Sequence, residues 1–182
     1  MPRLWLFTDL ARVPDPRPVI ARLPIGRAGV VFRHDAAPDR SALGADVARM
    51  CRARRLRLVV AGDARLAARL HAGIHLRAGR RPGAMRQAAI RPAAMITSSA
   101  HTVPDLLRAR QAGARLAFLS PAFPTASHPG APGHGPARWG LMIRRLPSDP
   151  MRVGALGGVD GHTVRRLPAR CAAVGAITAF SA

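Results

Sequence analysis

A chain of 182 residues with 48% hydrophobic content has enough apolar material to bury a core in one domain, which excludes a disordered polypeptide. Its 29 basic residues against 9 acidic ones give a formal charge of +20 and raise nucleic acid as a partner; every basic residue is an arginine, scattered in short pairs such as Arg54-Arg55, Arg80-Arg81, Arg144-Arg145 and Arg165-Arg166, and aromatics are only 4% with no tyrosine, so both the charge block and the stacking platforms of a nucleic-acid reader are missing. Cys51 and Cys171 are too far apart for a zinc motif or a disulfide framework and read as buried thiols, while the absence of a long apolar run, at the start MPRLWLFTDL or elsewhere, leads to the expectation of a soluble cytoplasmic protein.

Short apolar runs recur along the chain: Leu4 to Thr8, Gly29 to Arg33, Leu56 to Ala61, Gly73 to Leu76, Ala94 to Ser98, Ala114 to Leu119, Arg152 to Leu156 and Ala173 to Thr178. They are nearly continuous and do not alternate, the pattern of parallel strands covered on both faces. Between them lie helical signals. Leu43, Val47 and Met50 follow spacings of four and three, Leu66 and Leu70 repeat at four, and Thr102-Val103-Pro104-Asp105 has the hydroxyl cap, early proline and acidic residue of a helix start. Eight strands alternating with helices predict a single α/β domain over 1–182, a shortened TIM (β/α)8 barrel; a doubly wound open sheet has the same periodicity. The shortening falls on Ala78 to Arg91, which leaves room for a reduced fourth helix, and on Ala179 to Ala182, which leaves little or no eighth helix. A strand face uncovered in this way leads to the expectation of a homodimer.

The residues with chemical potential follow the same order. Arg33 ends the second run, where a guanidinium suits an anion such as phosphate. His75, inside an apolar run, reads as a core residue. Ser99 and His101 follow the fifth run, and a histidine at a strand's carboxyl end suits acid–base work as well as it suits packing. The stretch from Ser120 to Pro136 is too rich in proline and glycine for regular structure and reads as a lid after strand six, with the hydroxyls of Thr125 and Ser127 available to a phosphate or leaving group. Gly157 and Gly158 close the seventh run and Ile177 and Thr178 the eighth; in eight-unit barrels these two loops form the usual phosphate site, although a tight turn explains paired glycines equally well. His128, His134 and His162 lack metal-ligand spacing.

Five segments in order resemble the family that contains thiamine phosphate synthase and the thiazole tautomerase TenI. They are Leu4 to Asp9, then Gly73-Ile74-His75-Leu76, then Ser99-Ala100-His101-Thr102, then Ser120 to His128, and Ala155 to Gly158. The resemblance implies thiamine biosynthesis, a barrel fold, and a thiazole phosphate held by Gly157, Gly158, Ile177 and Thr178, with Arg33, Ser99, Thr125, Ser127 and His128 as further substrate contacts.

This sequence departs from the synthases where they hold magnesium and pyrophosphate. Arg33-His34-Asp35 replaces an Arg-x-Lys pattern, Ala61-Gly62 replaces Asn-Asp with an aspartate only at Asp63, Arg80 stands at a magnesium aspartate, and His128 stands at a lysine. Two carboxylates and two lysines are thus missing from the metal–diphosphate half, which sets no certain cofactor and puts magnesium in doubt. The tautomerase branch uses a histidine at the place of His101 as proton shuttle and needs no metal. The sequence therefore supports transferase-type coupling to a pyrimidine diphosphate and tautomerisation equally. A noncatalytic phosphate-binding relative, or a basic nucleic-acid-associated protein, are the readings from other classes.

Overall fold

The apolar runs do become strands. In the computed structural model, which describes residues 1–80, 94–125, 130, 132–147 and 151–179, β1 (Leu4–Phe7), β2 (Ala28–Phe32), β3 (Arg57–Ala61), β4 (Gly73–Leu76), β5 (Ile96–Ala100), β6 (Leu116–Leu119), β7 (Arg152–Leu156) and β8 (Val174–Ala176) follow one another around a closed barrel. The intervening helices are α1 (Arg17–Arg22), α2 (Arg40–Ala53), α3 (Ala64–Arg69), α4 (Val103–Gln111) and α5 (Gly135–Arg144), with a 3-10 turn at Thr163–Arg166. By internal contacts the chain divides into one unit of Met1–His75, Pro82–Met95 and Ile177–Ala182 and another of Leu76–Arg81 and Ile96–Ala176.

In the first unit β1, β2, β3 and β4 pair in parallel, with Trp5 opposite Gly29, Val31 opposite Val59 and Ala61 opposite His75. All five residues of β2 are buried, as a strand covered on both faces requires. Leu6, Val30, Phe32 and Val60 pack with Val19 and Ile20 of α1, Leu43, Val47 and Cys51 of α2, and Leu66 of α3. Those α2 residues recur every fourth position, so one helical stripe covers the strands. On the other face the indole of Trp5 fills the space beside Gly29, where a β-carbon would lie 2.5 Å from the ring. His75 is buried beside Phe7, edge to face, as a core residue.

In the second unit β5 to β8 pair in parallel through Ser99 opposite Phe118, Phe118 opposite Gly154 and Leu156 opposite Gly175. The helix start read at Thr102 is a complete capping box: Thr102 accepts from the Asp105 N–H and the Asp105 carboxylate accepts from the Thr102 N–H. In α5 the buried Trp139 donates its indole N–H to the Leu119 carbonyl at 3.2 Å, fixing the helix on β6. Leu106, Ala109, Leu119, Trp139, Val153 and Ala155 belong to this unit's core.

The stretch expected to be wholly irregular gives way to helix at Gly135 and Pro136, because proline in a first helical turn forfeits no hydrogen bond. Ile177 to Ala179 form a bend and turn after β8. Most of the segment read as a reduced fourth helix, and the last three residues, lie outside the described residues. Among the described residues no helix is long and apolar enough to cross a membrane, and the exposed large apolar side chains are Met1, Ile25 and Leu141.

Candidate functional site

At the carboxyl end of β2 the chain turns inward. The Arg33 N–H donates to Thr8 Oγ1 at 2.8 Å, Thr8 Oγ1 lies 2.9 Å from His34 Nδ1, and His34 Nε2 lies 3.1 Å from the Pro14 carbonyl and 3.2 Å from that of Val13. Carbonyls only accept, so Nε2 carries the proton and Nδ1 accepts from the threonine hydroxyl. His34 is fully buried, stacked at 5.5 Å on Phe32, and is spent on structure. Arg33 is half-buried at the strand end, as the sequence suggested.

Two acidic residues from different strand ends, Asp35 and Asp63, converge on one guanidinium. Arg40, the first residue of α2, donates from Nη2 to Asp35 at 2.9 Å and to the Ala61 carbonyl at 3.0 Å, and from Nη1 to Asp63 at 2.9 Å. The other oxygen of Asp63 accepts the Leu66 N–H at 2.9 Å as the cap of α3. Arg40 also lies 6.0 Å over the Phe32 ring. Nothing in the sequence separates Arg40 from the other arginines; only the fold brings the ends of β2 and β3 around it.

His101 stands exposed just past β5. Its Nδ1 lies 3.0 Å from the Ser120 carbonyl and 3.4 Å from Ser120 Oγ, so in the neutral ring Nδ1 is protonated and Nε2 carries the lone pair. Its backbone N–H donates to Asp105 at 2.9 Å, which ties the histidine to the cap of α4. Burial pushes the Asp105 carboxyl up, but the N–H groups of His101 and Thr102, the Thr102 hydroxyl and the Arg108 guanidinium outweigh it and hold the carboxyl below its usual range. Ser99 Oγ accepts the Ala78 N–H at 3.1 Å and Ser98 Oγ the Gly79 N–H at 3.0 Å, fastening β5 to the turn that follows β4.

A second histidine, dismissed in sequence for lack of metal spacing, lies beside the first. His134 ends the loop after β6, its N–H bonded to the Pro121 carbonyl at 2.9 Å. Its imidazole is pulled below its usual range first by burial and then by the charge of Arg138, with the carbonyls of His101 and Ser120 acting in the opposite sense. Its Nε2 is buried and meets no hydrogen-bond partner among the described residues. The pattern Gly-His-Gly-Pro before a helix is the one sequence signal that marks it.

The same loop lies on the paired glycines. Ala122 N–H donates to the Leu156 carbonyl at 2.8 Å and Phe123 N–H to the Gly157 carbonyl at 3.0 Å. Gly157 and Gly158 have φ of +89° and +63°; a β-carbon on Gly158 would come 2.4 Å from the Pro124 carbonyl oxygen, and one on Gly157 3.5 Å from Thr125 Cγ2. The glycines are thus required by backbone shape and by close packing, and Thr125 is brought to them. Gly158 O accepts from Thr163 Oγ1 at 2.9 Å, and the N–H groups of Thr163 and His162 hold the Asp160 carboxyl below its usual range. Ile177 and Thr178 directly follow β8, while Ser127 and His128 lie outside the described residues.

A cavity of about 360 Å³ opens elsewhere, beside the starts of β3 and β4, with Cys51, Arg52, Arg57 and His71 in its wall. Among the described residues no three His, Cys, Asp or Glu side chains come together as a metal site would need.

The parallel closed barrel, with His101, Ser120 and the paired glycines at strand carboxyl ends, defines a (β/α)8 protein whose polar constellation sits where such barrels carry their sites. Residues 15–180 match the family model described as thiamine monophosphate synthase, and the chain belongs to that family. A thiamine phosphate pyrophosphorylase from Pyrococcus furiosus is similar in structure, with a TM-score of 0.80 and 21% identity over 99% of this chain and 88% of that one. KDPG aldolase from Legionella pneumophila follows at 0.61 and 9% over 96% and 82%, and FabK from Thermotoga maritima at 0.68 and 12% over 98% and 58%. At such identities these likenesses show the barrel fold. No curated protein sequence matches the chain.

Proposed function

We propose that the chain is an enzyme of thiamine biosynthesis that isomerises a thiazole carboxylate phosphate, with His101 as the proton shuttle. The observation that carries this reading is the hydrogen bond from His101 Nδ1 to the Ser120 carbonyl, which fixes the tautomer and aims a basic Nε2 from a strand's carboxyl end. Nε2 takes a proton from one ring position and returns it at another, so the substrate keeps its composition and no second substrate is consumed. The proposal gives the phosphate to the amides of Gly157 and Gly158. It assigns further phosphate contact to Ile177 and Thr178, and substrate contact to Arg33, Ser99, Thr125, Ser127 and His128.

The test is turnover of the thiazole carboxylate phosphate by wild type and His101→Ala, followed by proton NMR. General acid–base catalysis is worth about 10²- to 10⁴-fold, so the variant should lose that much in kcat while thiazole phosphate still raises its melting temperature. Full turnover by His101→Ala removes the assigned role. Release of pyrophosphate from a pyrimidine diphosphate, with thiamine phosphate formed, would make the chain a coupling enzyme instead.

A further inference from the structure

The family's synthases imply magnesium at the ends of β3 and β4, and the residues here do not fit it. Of the acidic side chains at the ends of β2 and β3, Asp63 has one oxygen on the Leu66 N–H and the other on Arg40 Nη1, and Asp35 has an oxygen on Arg40 Nη2. The guanidinium is held at 2.9 Å from both carboxylates, accepts no rearrangement cheaply because Nη2 is also bonded to the Ala61 carbonyl, and is only 18% exposed. Magnesium needs near-octahedral oxygen ligands at about 2.0–2.1 Å, so it would have to displace both the arginine and the helix cap. At the end of β4 the turn closes through the Arg80 N–H on the Arg77 carbonyl, and both arginine side chains are exposed.

We propose that Arg40 is a built-in substitute for a divalent cation: its guanidinium neutralises and occupies Asp35 and Asp63, so the chain is magnesium-independent at this end of the barrel, and the two carboxylates become a cation site only when the arginine is removed. This inference goes beyond the tautomerase reading and stands or falls separately from it, because its test uses no thiazole phosphate.

The experiment titrates untagged protein with Mn²⁺ and follows the free-ion electron paramagnetic resonance signal. Wild type should leave the signal unchanged at millimolar protein. Arg40→Gln should bind Mn²⁺ with a Kd on the order of 1 mM, reducing the signal roughly by half at that protein concentration, and Arg40→Gln combined with Asp63→Asn should return it to the wild-type level. Depletion of the signal by wild type overturns the proposal without any variant. So does a folded Arg40→Gln, checked by circular dichroism, that gains no Mn²⁺ binding; should that variant not fold, Arg40→Met serves in its place.

Discussion

Cys51 shows what burial does to a reactive group. It lies 1% exposed on the buried face of α2, and burial pushes its thiol up to about 12. At pH 8 its thiolate fraction is then on the order of 10⁻⁴, and the thiolate is the reacting species. Cys171 is also buried, its Sγ 3.1 Å from the Ala173 carbonyl. A thiol reagent such as DTNB at pH 8 should therefore titrate far less than one equivalent per native chain and both cysteines in guanidinium; rapid native reaction of Cys51 would contradict its burial. The histidines follow the same logic: His34, His75, His101 and His134 have one side-chain chemistry and very different surroundings. His34 and His75 are locked inside, whereas His101 faces out at a strand end and His134 lies close enough to feel its charge. Sequence position separates His75 from His101, because one lies within an apolar run and the other beyond it. It cannot separate His134 from His162, since neither lies in an apolar run and their places depend on how the segments after β6 and β7 fold back.

The capping box of α4 links an element's stability to the site. Asp105 holds the N–H groups of both Thr102 and His101, so loss of its charge weakens the helix start and the histidine's backbone together. Asp105→Asn should cost about 1–2 kcal/mol in chemical denaturation at pH 7. The folded carboxyl lies below its usual range, so its stabilisation is present above about pH 4, the ordinary aspartate value, and is lost as pH falls through the lower folded value. The gap between wild type and variant should accordingly shrink as the pH falls below about 4, and a gap that widens on acidification would show that the charge is not what stabilises the cap. This element was legible in full from Thr102-Val103-Pro104-Asp105, because capping is decided within four consecutive residues. The strands were legible to within one or two residues for a related reason, since burial on both faces leaves an unbroken apolar run.

For the molecule as a whole, the dominant electrostatic fact is a formal charge of +20, which opposes compaction through self-repulsion. Raising ionic strength from about 0.01 M to about 0.1 M shortens the screening length from about 30 Å to about 10 Å. The melting temperature should therefore rise with NaCl over that range. A fall would mean that specific pairs, Arg40 with Asp63 and Arg17 with Asp15 among them, outweigh the net repulsion.

What the sequence determined by itself was local or periodic: eight parallel strands in order, the helix caps, the glycines after β7, and a histidine at the end of β5. These follow from residues near one another in the chain, where spacing and burial pattern carry the information. Tertiary structure alone decided the partnerships across distance. It turned His34 inward onto Thr8, set Arg40 between Asp35 and Asp63, and laid the loop after β6 over Gly157 and Gly158. One arginine resembles another until folding brings two carboxylates, 28 residues apart in the chain, to a single guanidinium.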